Sequence, residues 1–471
     1  MKRRIRLKIL VSILLVIFFP LNGFCADTEY YIDNTLYAGS GTSTGTATGG
    51  GADYICLAAD ASSNNDDYNN YGVTITLGTG FTAGAEQSLR IIDYVATGGT
   101  CEKYAQVNTN WGTNPDATSV YEITVGSNEN NGLAAGIYGG TNGAWRQIQK
   151  ALDNMSQPGA NEEHARGNIK SGRTYIIQAT LDNDITDGTA ERRMILQGYD
   201  SSIGDGGKIT IDGNDGGTNA TNIFALTKSN WFYIDLISQD ATGDIVEVGS
   251  GGGNGFWFNA EMINGVNGID NGGGSQSIFG CELSGGSGDG MEQNSNIYSS
   301  YIHDYGVDGA QDTRKMFSSI IDTTGGHNNT GMSDEAFFFH NTFYNAVDAG
   351  SDNMNIGSSD DRLLFINNIF HTATGSNIEM HADADIDAYL NNNIEVSASG
   401  GKFFYSAGET TDDPGFAGAA GGNFAIDDSL DDLGYPSTYG DSTTGRWEPG
   451  AVMYEETAGG GASTKSYGST N

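Results

Sequence analysis

The chain has 471 residues, with 59 Asp or Glu against 22 Lys or Arg. So acidic a surface repels nucleic acid, which sets DNA and RNA binding aside. It repels polyanionic sugars too, unless cations bridge the two. The 70 Gly beside 23 Tyr, 20 Phe and 5 Trp point to turn-dense β structure rather than disorder.

Lys2, Arg3, Arg4, Arg6 and Lys8 precede an apolar run from Ile9 to Phe19, and Pro20 and small residues follow. This pattern predicts a signal peptide over residues 1–26, cleaved near Cys25 or Ala26. The run is short of the roughly 20 residues that a membrane span needs. Export would leave 17 cationic against 59 acidic residues, a net charge of −42.

Residues 27–135 read as a small β domain. EYYIDNTLY runs into a Gly/Thr/Ser loop, after which DYICLA, GVTITLG, SLRIIDYV, YAQVN and SVYEITV alternate as strands do. Cys56 and Cys101 fall in this region, and an oxidising compartment would let them pair. Ala61-Ser62-Ser63, Tyr68, Thr74-Ile75-Thr76, the run from Arg90 to Tyr94, Trp111, the run from Pro115 to Ser119 and Tyr121-Glu122-Ile123 carry a resemblance. They resemble a small β module that recurs in phage virion and surface proteins, which implies attachment or recognition. The longer stretch around Cys101 departs from that pattern.

Next comes GIYGGTNGAWRQIQKALDNM, where Thr141 or Asn142 can cap a helix. Trp145, Ile148, Ala151, Leu152 and Met155 share one helical face. From residue 231 a single pattern keeps returning: WFYIDLIS, FWFNAEMI, SIFGCELS, NIYSSYIH, KMFSSIID, FFFHNTFY, LLFINNIF and AYLNNNIE. Its third position is Tyr233, Phe258, Phe279, Tyr298, Phe317, Phe339, Phe365 and Leu390, at spacings of 19 to 26 residues. Its fifth is small or amide-bearing, ending in Asn341, Asn367 and Asn392, and its seventh is always apolar. Positions two apart share a strand face. Gly-, Asn- and Asp-rich turns end each copy. A repeat of this length made of strands and turns predicts a stacked solenoid. Third-position rings would then form an internal stack, and the three Asn an amide ladder.

These repeats, with the amphipathic helix ahead of them, resemble the pectin-lyase-like superfamily over roughly residues 139–456. The expected fold class is all-β, a right-handed parallel β-helix over 136–456, with its first coil closed by the helix. A flexible tail is expected over 457–471.

The resemblance implies a long groove suited to a chain polymer. Uronate lyases of the superfamily use acidic calcium ligands with an Arg or Lys base, and its hydrolases use clustered Asp. The candidate catalytic group here is His303, Asp304, Asp308, Asp312, Arg314 and Lys315, with Asp322, His327 and His340 nearby in the repeat. None of the superfamily's paired-Asp, Gly-His or Arg-centred motifs is found. In HADADIDAY, Asp383, Asp385 and Asp387 alternate, so a strand there would present three oxygen ligands suited to calcium. Trp257 and Trp111 are candidate sugar platforms, Trp257 because its place in the repeat should point it outward. The expectation is an exported protein that binds or holds carbohydrate at the cell surface or outside. The alternatives are a polysaccharide lyase or glycoside hydrolase, and a structural rod.

Overall fold

The computed structural model describes residues 27–373 apart from short internal stretches. Beyond them it describes the backbones of the strands Ile378–Met380, Asp387–Asn391, Ile394–Glu395, Tyr405–Ala407, Val452–Glu455 and Ser463–Ser466. The signal peptide expected over 1–26, the proposed caps Thr141 and Asn142, and most of the closing coil lie outside these residues.

Most coils of the solenoid lay one strand into each of three walls, while the coil of Gln276–Phe279 and Glu282–Ser284 meets the third by an isolated bridge at Met291. One wall has twelve parallel strands, from Thr28–Ile32 to Tyr405–Ala407, and a second has ten, from Tyr175–Ile176 to Ile394–Glu395. Two four-stranded sheets form the third. The chain thus folds as a right-handed parallel β-helix. Ile32, Leu196, Trp231, Trp257, Phe338 and Phe365 belong to one continuous buried core along it.

The helix Ile148–Asn154 is shorter than the sequence pattern suggests, but Ile148, Ala151 and Leu152 are buried as expected. Trp145 lies before it in extended backbone bridged to Ile32, stacked on Tyr30 at 5.4 Å.

The strand Thr28–Ile32 pairs in parallel with Ala165–Lys170, so it opens the solenoid rather than the small domain expected over 27–135. The domain itself is a seven-stranded antiparallel sheet spanning 44–124 with its own core. Cys56 and Cys101 are joined there, and Cys281 is buried and free. At the far end, Ser463–Ser466 pairs antiparallel with Val452–Glu455, where a flexible tail is expected.

The register corrects the internal ring stack. Tyr233 pairs with Trp257, which pairs with Ile278, and Phe338 pairs with Phe365. Phe258, Phe279, Tyr298 and Phe317 form a separate column, one residue out of step. A one-residue slip moves a side chain to the opposite face. The interior column is therefore Tyr233, Trp257, Ile278, Ile297, Met316, Phe338 and Phe365, all buried. The other column lies outside, half-buried, with ring centroids 4.7, 4.7 and 5.6 Å apart and planes within 8°.

Between the first two walls the chain turns at one left-handed residue per coil: Asp235, Asn259, Gly280, Ser299, Ser318, His340 and Asn367, with φ between 49° and 62°. Most of these are Asp, Asn or Gly, the residues that tolerate this region best. The next residue inward builds a polar ladder. The hydroxyls of Ser300 and Ser319 and the amide oxygens of Asn341 and Asn368 accept the backbone N–H of Cys281, Ser300, Ser319 and Asn341, at 3.0 to 3.1 Å. The ladder expected through Asn341, Asn367 and Asn392 therefore runs from Asn341 to Asn368, and Asn392 lies outside the described residues. Asn367 is the corner residue and bonds His340 instead.

Candidate functional site

In Tyr301–His303 only the middle residue, Ile302, points into the core. Tyr301 and His303 therefore stand on the outer face of the ten-stranded wall. Register places Glu282 beside Tyr301, and sets Ser284, His303, Asp322, Tyr344 and His371 in one column. Neighbours in such a column are roughly 4.8 Å apart, within reach of direct contact.

His303 is held on both ring nitrogens, Nδ1 by Asp304 at 2.8 Å and Nε2 by Glu282 at 3.2 Å, and its ring stacks on Tyr301 at 4.1 Å. Burial pulls its pKa down, but the two carboxylate hydrogen bonds and charges outweigh that and leave it raised. An imidazolium donates to both acids at once, which explains the balance. Asp322, on the next coil, is pushed up to about 6 by burial and then by the charge of Asp304. Its Oδ1 is buried with no hydrogen-bond partner among the described residues. Glu282 is lowered, first by the hydrogen bond from His303 and further by the charges of His303 and Lys208. Lys208 itself reaches Glu261 at 2.5 Å. Burial and then the charges of Asp322, Asp304 and Glu282 hold the Tyr301 hydroxyl well above its ordinary pKa. The face thus combines a carboxyl whose pKa is pushed up to about 6, an imidazole whose pKa is raised and two further acids, enough for proton transfer or for binding hydroxyl groups.

The six residues grouped by sequence do not meet as one cluster. A coil carries 303–315 round three walls: Tyr301–His303 in the second, Ala310–Gln311 in the third and Lys315–Phe317 in the first. Only His303 and Asp304 stay together. Lys315 is exposed on the first wall between Asn296 and Phe337, with Arg314 exposed just before it. Asp312 is a left-handed corner residue with φ 49°.

Asp308 belongs to another ladder, on the third wall. Its carboxylate accepts the N–H of His327 and the hydroxyl of Thr330, each at 2.8 Å, and its own N–H donates to Asp289 at 2.8 Å. Asn267 and Asp244 extend the same chain of side-chain-to-backbone bonds. Beside it Glu292 is pushed up to about 7 by burial and then by the charge of Asp270. His340 is buried against Phe339.

Both Trp candidates are corrected. Trp257 is fully buried, stacked on Tyr233 at 4.1 Å, with its Nε1 donating to Gln276 at 3.2 Å. Trp111 is buried in the core of the small domain. Neither offers a ring face to a sugar. Asp383 and Asp385 lie outside the described residues, and of Asp387 only the backbone is described, paired with Arg362. Among the described residues no group of three or more His, Cys, Asp or Glu is placed to hold a metal ion.

Sequence reasoning named Asp322 as a neighbour in the repeat, and register sets it beside His303; the residue it missed is Glu282, on the other side. Glu282 and Asp322 lie 21 residues before His303 and 19 after it, and those repeat spacings were the signal that could have joined them.

No family model and no curated protein matches the sequence. Among solved structures, the pectate lyase Pel9A is 15% identical with a TM-score of 0.52, covering 70% of this chain and 94% of its own. A rhamnogalacturonan lyase is 11% identical with a TM-score of 0.41, covering 68% and 92%. The Gp54 tailspike of Acinetobacter baumannii bacteriophage AP22 is 10% identical with a TM-score of 0.19, covering 79% and 62%. With the strand register, the first of these establishes the fold: this chain is a parallel β-helix, as that pectate lyase is.

Proposed function

We propose that this chain is an exported protein that holds extracellular or cell-surface polysaccharide against the outer face of its ten-stranded wall. The observation that carries the reading is the constellation of Glu282, Tyr301, His303, Asp304 and Asp322 on that face. A flat wall of stacked strands suits a polymer longer than any pocket. Carboxylates and an imidazole fixed at coil spacing give successive hydrogen-bond partners to sugar hydroxyls. The likeness of fold to a pectate lyase favours the same class of ligand.

Cleavage of the polymer is the second reading, favoured by one feature. Asp322, pushed up to about 6, stands beside a His303 whose pKa is raised, so the wall pairs two groups able to pass a proton between them. The superfamily's calcium would supply charge neutralisation for a uronate. The described residues do not form a set that fits it, so no step is assigned to calcium.

Retention on immobilised polysaccharides, run beside an assay for unsaturated or reducing-end products with and without calcium, tests both readings. His303→Ala should weaken retention at least tenfold, and Asp322→Asn should abolish any product. Equal retention of wild type and His303→Ala on every polymer would discard the site and leave a structural rod.

A further inference from the structure

A cleft of about 550 Å³ opens where the small β domain meets the first coils of the solenoid. Its volume lies within the roughly 300–1,000 Å³ usual for small-molecule sites. One side comes from the small domain, with Thr76, Leu77, Phe81, Glu86 and Glu122. The other is the first solenoid turn from Arg173 to Leu181, and Arg146 and Gln147 line it just ahead of the helix.

The charged groups in this cleft are already balanced. Arg173 is gripped by Glu122 in a two-point contact at 2.8 and 2.6 Å, and also donates to the carbonyl of Asn34 at 3.2 Å. Arg146 lies between Glu86 at 3.7 Å and Glu122 at 3.6 Å. Its Nε is buried and finds no hydrogen-bond partner among the described residues. Two Arg therefore face two Glu, and the cleft is neutral in a chain of formal net charge −37. A charged ligand would have to break a bidentate pair that is strong and directional. An uncharged ligand leaves it intact.

The remaining lining mixes two chemistries. Gln147, Gln149, Gln178, Thr174 and Thr180 bring amides and hydroxyls. Leu77 and Ile176, 60% and 56% exposed, present apolar surface to water at the same cleft. Exposed aliphatic surface beside amide groups matches a pyranose, which has C–H faces and a rim of hydroxyls.

We propose that this junction cleft is a second carbohydrate site, which takes one or two sugar units of a neutral glycan. It shares no residue with the ten-stranded wall and does not depend on the reading of that wall. The small domain then contributes half of a binding site that neither part forms alone.

The test uses the whole mature chain on an array of immobilised oligosaccharides built from hexose, deoxyhexose and N-acetylhexosamine units, with uronate and sulfated glycans alongside. Ala179→Trp fills the cleft from an exposed position, and Leu77→Asp puts a charge at a site already 60% exposed. The proposal expects binding to one or more neutral glycans, at least tenfold weaker in both variants. Thermal melting checks that each variant folds, and if Ala179→Trp melts early, Leu77→Asp decides. No neutral glycan bound by wild type, or binding indifferent to the cleft variants, would overturn it. Loss in His303→Ala alone would leave the ten-stranded wall as the sugar site.

Discussion

On the twelve-stranded wall the outward column from Phe258 to Phe317 repeats one chemistry, ring upon ring at 4.7 to 5.6 Å. On the ten-stranded wall the outward column runs Ser284, His303, Asp322, Tyr344, His371 and never repeats a neighbour. Both columns obey the same coil spacing. Identical rings gain from that spacing, since stacked aromatic pairs contribute about 0.5–1.5 kcal/mol beyond burial. Identical charges lose by it. Where two acids do follow each other, Glu261 and Glu282, each is given its own cationic partner, Lys208 and His303. A parallel solenoid can thus stiffen one wall with like side chains, but it must alternate partners on a wall that carries charge. The alternation is what brings groups of perturbed acidity together. The aromatic column, by contrast, is a poor sugar platform, because its ring faces are covered by one another.

The sharpest way to break the contrast is to exchange chemistries. Phe279→Asp removes two stacked contacts, to Phe258 and Tyr298, and sets a carboxylate among half-buried rings. It should destabilise the chain by about 2–4 kcal/mol, summing two ring pairs with the desolvation of a charge. The reverse exchange, Glu282→Phe, should change stability by less than about 1 kcal/mol, as an exposed ion pair is worth little. Denaturant unfolding of both variants measures this. Equal losses on the two walls would remove the distinction.

A second test concerns Asp322. Its pKa is about 6 in the folded chain, against about 3.9 for an unperturbed Asp. The folded state therefore binds this proton more tightly than the unfolded state does. Stability should fall as pH rises from about 4 to about 6 and stay level above that. Asp322→Asn should lose this fall and be the more stable protein at pH 7. A wild-type curve parallel to that of Asp322→Asn between pH 4 and 7 would show that the carboxyl is not held in the protonated form.

How much of this was legible in the sequence follows from the same geometry. The coils were readable because a strand flanked by Gly, Asn and Asp returned every 19 to 26 residues. The face was not, because FWF at 256–258 and FFF at 337–339 place aromatics on both sides of one strand. Ring identity cannot choose between them. The residue that marks register is the left-handed corner, from Asp235 and Asn259 to His340 and Asn367. Aligned on it, Trp257 turns inward and Phe258 outward. The grouping of 303 to 315 failed for a related reason. In a solenoid, neighbours in space are one repeat apart, so residues a few positions along have already turned onto another wall. Asp308 and Asp312 were read as acids available for chemistry, yet one is a ladder rung and the other a corner.

The smallest expected effect isolates His303. Its pKa is raised, so the stability that its charged form lends is fully present below about 6.5, the unperturbed value. That contribution is lost as pH rises through the folded value, with the same sign as the fall assigned to Asp322 but in a higher pH window. His303→Gln keeps a polar group over Tyr301 but removes the positive charge between Glu282 and Asp304. The variant should match wild type at pH 9 and be less stable at pH 6. In the same variant the pKa of Glu282 should rise, because the hydrogen bond that lowers it is weakened. The pKa of Asp322 should rise as well, because the nearby positive charge that pulls it down is gone. Carboxyl titration followed by NMR reads both. If neither acid moves, His303 serves only as a packing group on Tyr301, and the ten-stranded wall alternates by shape rather than by charge.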